Sequence, residues 1–173
     1  WNYPQWWVDQ CKSAYPQDWQ QLLSAADTPP PMTLRVNQRL SSVENYLLLL
    51  KQAQIEASQI GPSAIRLHKA LQVQNIPGFA QGMVSVQDAG AQLAAVLLDV
   101  QDGHKVLDAC AAPGGKTGHI LELAKVDLLA LDVDAKRLDK IHDNLARLQL
   151  FATIKEGDAS WSNWWDGQQF DRI

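Results

Sequence analysis

The alternation of apolar runs with amphipathic segments after residue 104 constrains the fold more than any other feature of this sequence. Three apolar runs are typical of buried parallel strands, and they lie at residues 105–110, 128–132 and 152–156. Helical periodicity fills the two gaps, at 115–124 and 135–148, and residues 170–173 begin a fourth apolar run. This βαβαβ order predicts a doubly wound α/β sheet, because crossovers between parallel strands are right-handed.

The first predicted strand leads into a turn of small residues. The sequence VLDACAAPGGKT spans Val106 to Thr117 and passes from apolar residues through small residues and glycines into the next helix. The first N–H groups of a helix have no partner within it, and glycine lets a ligand approach the backbone closely. We therefore expect this turn to hold the polar end of a nucleotide-like ligand.

In sheets of this kind, ligands bind at the carboxyl ends of the strands, where the strand order reverses. Three features fall there, namely the turn Cys110–Lys116, Asp132 at the end of the second strand and Asp158 just past the third. An acidic residue at the position of Asp132 can accept both hydroxyls of a ribose. Asp158, or backbone near it, can reach an adenine amino group. The pattern predicts an adenosine pocket, with a helix cap as the alternative role for Asp132 and a plain turn as that for Asp158.

The turn departs from both common phosphate-binding patterns. The pattern GxxxxGK[ST] fits Gly115-Lys116-Thr117, but its first glycine falls on Cys110. The pattern GxGxxG fits Gly115 and Gly118, but Pro113 stands at its first glycine. A ligand that has no phosphate to bind tolerates both departures, and S-adenosylmethionine is such a ligand. A P-loop nucleotide hydrolase is the less favoured alternative.

Two further side chains of the turn have predicted roles. Lys116 is assigned to the site, since a cation is unfavourable at a helix start unless it has a function there. Cys110 has no histidine or other base nearby in the sequence, so we interpret it as a small apolar lining of the pocket rather than a nucleophile.

The segment before the sheet divides into two predicted parts. Residues 1–27 carry aromatic residues at helical spacing, which predicts one or two amphipathic helices. Their aromatic side chains are expected to pack in a core or between domains or, alternatively, to stack on RNA bases. Residues 28–83 are predicted to form a small α+β domain with an antiparallel sheet. Its basic residues form either a solvated face or part of an RNA groove; they are Arg35, Arg39, Arg66, His68 and Lys69.

Specific elements are predicted within the α+β domain and just after it. Strands are expected at Met32–Asn37, Ala64–Leu67 and Leu71–Val73. A helix is expected from a cap at Ser41 or Ser42 to about Ala57, with Tyr46, Leu47, Leu50 and Ile55 facing inward. The segment Val84–Val100 contains a further helix, capped by Ser85 or Asp88, that covers the parallel sheet. Residues 84–173 are assigned to one domain with that sheet.

Composition narrows the function classes. The net charge of −4 gives no sign of a bulk polyanion partner, although a local basic groove remains compatible with it. The two cysteines, Cys11 and Cys110, form neither a metal-binding set nor a disulfide framework, which fits the reducing cytoplasm. No apolar run approaches the ~20 residues that a membrane span needs. We therefore expect no metal and no membrane.

Three motifs together resemble one known family. DACAAPGGKT (108–117), LDVD (131–134) and GDAS (157–160) resemble the Sun (Fmu) family of RNA 5-methylcytosine methyltransferases. The upstream segments PPPMTLRVN (29–37) and IPGFAQGMVSVQDAGAQ (76–92) resemble those of its bacterial members that act on small-subunit ribosomal RNA. The resemblance covers essentially the whole chain. It implies a Rossmann-like methyltransferase sheet, here its first three strands and the start of the fourth, preceded by an RNA-binding α+β domain.

The resemblance also implies the cofactor and the substrate. The cofactor is S-adenosylmethionine, and the partner is small-subunit ribosomal RNA, methylated at C5 of a cytosine. The residues implied to contact the cofactor are Cys110, Ala111, Ala112, Pro113, Gly114, Gly115, Lys116, Asp132 and Asp158.

The sequence departs from the family at the catalytic cysteines. In this family one cysteine attacks C6 of the cytosine and a second helps to release the product, and both follow the fourth strand. The chain ends at Ile173, and none of its residues matches either cysteine, so no catalytic residue is assigned. We interpret the chain as a piece of a longer enzyme and predict that it is inactive alone. A non-catalytic RNA-binding or assembly module is the alternative from another functional class.

Overall fold

A computed structural model describes all 173 residues, which form two compact units, residues 1–31 and 32–173. The first unit is a pair of helices, α1 (Gln5–Ala14) and α2 (Trp19–Ala26), as the sequence predicts. Its buried core is small and consists of Val8, Cys11 and Leu23. The side chains of Trp6, Trp7 and Tyr15 are exposed, so they do not contribute to this core.

The second unit begins with a four-stranded antiparallel sheet. Its strands are β1 (Thr33–Val36), β2 (Ala57–Gln59), β3 (Ala64–Leu67) and β4 (Val84–Val86), in the order β2-β3-β1-β4. Helix α3 (Val43–Gln52) packs on the sheet through Val43, Tyr46 and Leu50, and the hydroxyl of Ser42 caps it by accepting from the N–H of Asn45. The α+β character and the cap at Ser42 are as predicted.

Three details of this sheet differ from the sequence expectation. Helix α3 ends at Gln52 rather than near Ala57, because Gln54 takes a left-handed φ of 58° and Ala57 starts β2. The predicted strand at Leu71–Val73 is wrong, since Val73 begins a short 3-10 turn that ends at Asn75. Strand β4 pairs with β1, so a domain boundary between residues 83 and 84 would separate β4 from its sheet.

The remainder of the second unit confirms the predicted α/β sheet. Helix α4 (Ala89–Leu97) is capped by Asp88 and precedes three parallel strands in the order β5-β6-β7. The elements are β5 (Lys105–Asp108), α5 (Gly115–Leu123), β6 (Asp127–Asp132), α6 (Ala135–Leu148) and β7 (Thr153–Glu156). Arg172 pairs in parallel with Val106 on the other edge of β5, so the strand order reverses at β5.

Helices α4, α5 and α6 bury an apolar core against the parallel sheet. Its members include Ala95, Val106, Ile120, Ala130 and Ile141. This core fixes the strands, so the loops at their carboxyl ends are held at one edge of the sheet. The longest helix has 14 residues, and none in the chain has both the length and the apolar character to cross a membrane.

Candidate functional site

The turn between β5 and α5 depends on glycine at Gly114. This residue has a left-handed φ of 92°, and a Cβ built on it would lie 3.3 Å from the Cα of Ile141 in α6. A side chain at this position would therefore strain the backbone and press on α6. Gly114 thus allows the turn to lie directly against the neighbouring helix.

Three side chains from two elements, α6 and β1, hold the carbonyl groups of the turn. The guanidinium of Arg137 donates to the Ala112 carbonyl at 2.7 Å, and the amide of Asn144 donates to the Gly114 carbonyl at 3.1 Å. Arg35 of β1 donates to the Gly115 carbonyl at 2.8 Å. No side chain caps α5, so the first N–H groups of the helix remain available to a ligand.

Asp132 lies beside this turn, at the end of β6, with 2% of its surface exposed. Its carboxylate accepts from the N–H of Ala112 at 3.0 Å and from the N–H of Asp134 at 3.2 Å, and it lies 3.5 Å from the guanidinium of Arg137. Burial by itself raises the pKa of Asp132, but these N–H donors and the arginine outweigh burial and hold the pKa below its usual value.

The alternative role of Asp132 as a helix cap is not what the structure shows. Asp134 is the residue that caps α6, because its carboxylate accepts from the N–H of Lys136 at 2.9 Å. Asp132 instead joins the end of β6 to the glycine turn. The two features that the sequence assigned to one pocket are therefore in direct contact.

Asp158 follows β7 at the same edge of the sheet. Its neighbour Gly157 donates to the carbonyl of Asp132 at 3.0 Å. The carboxylate of Asp158 is exposed and accepts from the hydroxyl and the N–H of Ser160, at 2.7 and 2.8 Å, and these two bonds lower its pKa. It thus forms the turn that the sequence left as its alternative role, and its carboxylate remains accessible.

Three other residues of the motif are placed as follows. Lys116 is exposed in the first turn of α5 and forms no salt bridge. Cys110 is exposed, and its role as a small apolar lining of the pocket stays a prediction. The hydroxyl of Thr117 is fully buried and donates to the carboxylate of Asp108 at 2.7 Å. In a P-loop this hydroxyl would bind Mg²⁺, so its burial argues against a nucleotide hydrolase.

The sequence analysis missed a polar network that connects the antiparallel sheet to helices α5 and α6. The predicted solvated or RNA-facing role of Arg35 is wrong, because this residue has no exposed surface. It forms a two-pronged ion pair with Glu122 of α5, at 2.7 and 2.9 Å. Arg39 also reaches α5 and donates to the carbonyl of Leu121 at 3.0 Å. Only the folded chain reveals these contacts, because a single arginine in a strand pattern predicts a solvent-exposed side chain.

Two further side chains, those of Arg147 and His119, lie close enough to Arg35 to be affected by its charge. Arg147 of α6 donates to the carbonyls of Phe79 and Val84, at 2.8 and 3.0 Å, and to Asn144 at 2.9 Å. Burial lowers its pKa, and the nearby Arg35 lowers it further. His119 of α5 is 3% exposed, and its Nδ1 has no hydrogen-bond partner. Burial, and then the charge of Arg35, lower its pKa to about 4.

The geometry suits a ligand that has an amino-acid end and a nucleoside end. The uncapped N–H groups at the start of α5 favour a carboxylate. A carboxylate offers about four acceptor positions, and three donors engage that of Asp132, which leaves capacity for a ribose hydroxyl. No group of three or more His, Cys, Asp or Glu side chains is arranged to hold a metal ion.

Two family models match the chain. One, described as an RsmF/B-like methyltransferase ferredoxin-like domain, matches residues 3–74. The other, described as 16S rRNA methyltransferase RsmB/F, matches residues 95–173. The second match contains the glycine turn and both strand-end aspartates.

Curated relatives are similar over nearly the whole chain. The ribosomal RNA small subunit methyltransferase B of Yersinia enterocolitica serotype O:8 is 51% identical over 175 residues, which cover 99% of this chain and 41% of the relative. The protein of the same name from Salmonella newport is 47% identical over the same shares. The chain thus spans about two-fifths of the length of these relatives, and the family resemblance carried by the three sequence motifs is confirmed.

Two solved structures from Pyrococcus horikoshii share the fold. A methyltransferase homolog protein has a TM-score of 0.77 at 25% identity, covering 91% of this chain and 54% of its own. NSun6, solved with SFG, has a TM-score of 0.86 at 15% identity, covering 98% of this chain and 69% of its own. The order of elements in this chain is therefore a known methyltransferase architecture.

Proposed function

Because this chain belongs to the RsmB/F family of 16S rRNA methyltransferases, we propose that it binds S-adenosylmethionine for methylation of cytosine C5 in small-subunit ribosomal RNA. The observation that carries the proposal is the direct bond from the glycine turn to Asp132, which brings uncapped helix N–H groups and a buried carboxylate together. We also propose a cytoplasmic location, which is consistent with two free cysteines that form no disulfide.

Each part of the site has a defined task in this proposal. The N–H groups at the start of α5 bind the carboxylate of the cofactor, Asp132 accepts a ribose hydroxyl, and the exposed Asp158 accepts from the adenine amino group. Lys116 adds a positive charge beside the carboxylate-binding N–H groups. The cofactor, when bound, supplies an electrophilic methyl group. The residues of this chain bind and orient it.

We propose further that this chain does not transfer the methyl group by itself. C5 of cytosine becomes nucleophilic only after a thiolate has added to C6, and a nucleophilic cysteine needs an adjacent base or cation. Cys11 is buried within the helix pair of residues 1–31, and Cys110 forms no hydrogen bond to a histidine or carboxylate. The proposed catalytic step therefore needs parts of the longer relatives that this chain does not contain.

Calorimetric titration of the chain with S-adenosylmethionine, and separately with ATP and Mg²⁺, tests the binding proposal. We expect saturable binding of S-adenosylmethionine only, and weaker binding by Asp132→Asn. Asp134→Asn is the matched control, because it removes an aspartate two residues away that caps α6 without touching the turn. Saturable binding of ATP alone would contradict the proposal and support the nucleotide hydrolase.

A methyl-transfer assay separates the enzyme proposal from a non-catalytic RNA-binding module. The chain is incubated with small-subunit ribosomal RNA and methyl-labelled S-adenosylmethionine, and label in 5-methylcytosine is measured. We expect cofactor binding without label transfer. RNA binding without any cofactor binding would favour the module, whereas label transfer by this chain would refute its proposed inactivity.

A further inference from the structure

Arg35 has an unusual position for a guanidinium, because all of its surface is buried between the antiparallel sheet and α5. Its Nε and Nη2 donate to Glu122 at 2.9 and 2.7 Å, and its Nη1 donates to the side-chain oxygen of Gln87 at 2.6 Å. The same Nη1 donates to the Gly115 carbonyl at 2.8 Å. The side chain thus joins a strand of the antiparallel sheet to the first residue of α5.

Holding the Gly115 carbonyl has a consequence for the neighbouring donor. In a trans peptide unit the C=O and the following N–H point in opposite directions within one plane. Arg35 holds the carbonyl of the unit that joins Gly115 to Lys116, so it directs the N–H of Lys116 away from the antiparallel sheet. This N–H is one of the donors at the uncapped start of α5.

The ion pair with Glu122 is poorly explained by stability alone. Replacing a buried ion pair with apolar residues of similar size is often neutral or stabilising, because both charges must lose their water. The pair does, however, place a fork of N–H donors at one defined position, which an apolar pair cannot do. Within that fork, Nη1 is the donor that reaches the turn, where it contacts the Gly115 carbonyl.

We propose that Arg35 is a positioning residue for the glycine turn, so that the order and ligand affinity of the turn depend on the antiparallel sheet. The identity of the ligand rests on the proposed function, whereas the ordering of the turn does not. Arg35 acts through the backbone of the turn, from a position 80 residues earlier in the chain.

Arg39 lies in the turn that follows β1 and provides a control contact to the same helix. It also donates to a carbonyl of α5, but to that of Leu121 in the last turn of the helix rather than to the glycine turn. Removing its side chain therefore measures how turn exchange and ligand affinity respond to the loss of a contact to α5 that does not involve the glycine turn. The variant Arg39→Met serves for this purpose.

The first experiment measures amide hydrogen exchange in the ligand-free chain. The amides of Ala112, Gly114 and Gly118 each donate a hydrogen bond within or onto the turn, so their exchange reports its order. The test variant is Arg35→Met with Glu122→Leu, which removes both charges together and so avoids leaving one buried and unpaired. We expect about tenfold faster exchange at these three amides, with exchange in β6 and α6 unchanged.

Two further variants separate positioning from stability. Glu122→Gln weakens the ion pair but keeps the bond from Arg35 to Gly115, so we expect lower stability with little change in turn exchange. Arg35→Lys keeps the charge with a single donor group, so we expect turn exchange between that of the wild type and the double variant. Wild-type turn exchange in the double variant, or equal acceleration in Arg39→Met, would overturn the proposal.

The second experiment measures the dissociation constant for S-adenosylmethionine. In the double variant we expect about tenfold weaker binding, which is the size of a typical coupling between two sites. In Arg39→Met we expect wild-type binding. Faster turn exchange with unchanged affinity would overturn the link to the ligand. If the wild type does not bind, the proposed function fails, while the exchange experiment still decides whether Arg35 orders the turn.

Discussion

The carboxyl ends of β6 and β7 each carry an aspartate, but the two carboxylates have very different surroundings. Asp132 is 2% exposed and accepts from the N–H of Asp134 in its own loop and from the N–H of Ala112 in the glycine turn, 20 residues earlier in the chain. Asp158 is exposed and accepts only from Ser160, two residues further along its own loop. The first carboxylate therefore connects parts of the fold, whereas the second orders only its immediate neighbours.

The difference shows that Asp132 helps to build the site, in addition to the ligand contact that we propose for it. Without Asp132, the N–H of Ala112 would lose its partner and the turn would lose its contact with β6. Without Asp158, the turn and β6 would keep all of their hydrogen bonds. Variants at the two strand ends should accordingly differ in whether ligand affinity and fold stability change together or separately.

The largest effect is expected for Asp132→Ala. This change leaves the buried N–H of Ala112 without its acceptor, at about 1–3 kcal/mol, and removes the bond from the partly buried N–H of Asp134, at about 0.5–1.5 kcal/mol, so we expect roughly 2–4 kcal/mol lower stability. Affinity for S-adenosylmethionine should fall in parallel, by about 1–3 kcal/mol. Denaturant unfolding and calorimetric titration measure the two quantities. Lower affinity at unchanged stability would contradict the structural half of the comparison.

As the pH falls, stability is expected to decrease first through protonation of His119. This effect masks the contributions of Asp132 and Asp158 to the pH dependence of stability. Its pKa in the fold is about 4, below the ordinary 6.5, so the native state binds fewer protons than the unfolded chain. Stability should therefore fall as the pH drops from about 6.5 to about 4, by roughly 2–3 kcal/mol in total.

Unfolding midpoints of the wild type and His119→Gln, measured across this pH range, check that expectation. The variant should lose the steepest part of the pH dependence, because glutamine does not titrate. What remains below about pH 4 then reports carboxylates such as Asp132, whose lowered pKa stabilises the fold until it is protonated. An identical pH profile in both proteins would exclude His119 as the cause.

A smaller effect is expected for Arg137→Ala. The side chain is 46% exposed and contacts both Asp132 and the Ala112 carbonyl, so its removal should lower stability by about 1 kcal/mol. Affinity for the cofactor should fall less than in Asp132→Ala, because the bond from Asp132 to Ala112 remains. Lys136→Ala, at an exposed neighbouring position of α6, is the control for loss of a positive charge.

The smallest effect on stability is expected for Asp158→Ala. Its carboxylate is solvent-exposed and its two bonds are local, so the denaturant midpoint should match that of the wild type. The proposed contact with the adenine predicts weaker binding of S-adenosylmethionine but unchanged binding of methionine. A clear drop in stability would show that the end of β7 also supports the fold and would remove the contrast with β6.

Local sequence signals were sufficient for much of the parallel half. The predicted bounds of α6, residues 135–148, follow from an amphipathic period that ends at Leu148, and they agree with the structure. The residue that caps this helix is Asp134, whereas the sequence offered Asp132 for that role. Strand β2 was missed because Ala57–Gln59 has no β-branched or aromatic residue and forms only by pairing with β3. The false strand at Leu71–Val73 has the opposite cause, since its apolar residues have no partner strand to pair with.

The sequence by itself determined the βαβαβ order, the glycine turn and the acidic residues that end β6 and follow β7, because each depends on neighbours within a few residues. Only the tertiary structure decided that Asp132 is bonded to the turn and that Arg35 is buried beneath it. The reason is physical, since a buried charge is tolerated only where distant parts of the chain supply its partners. For Arg35 these partners are Glu122 and Gly115, more than 75 residues away.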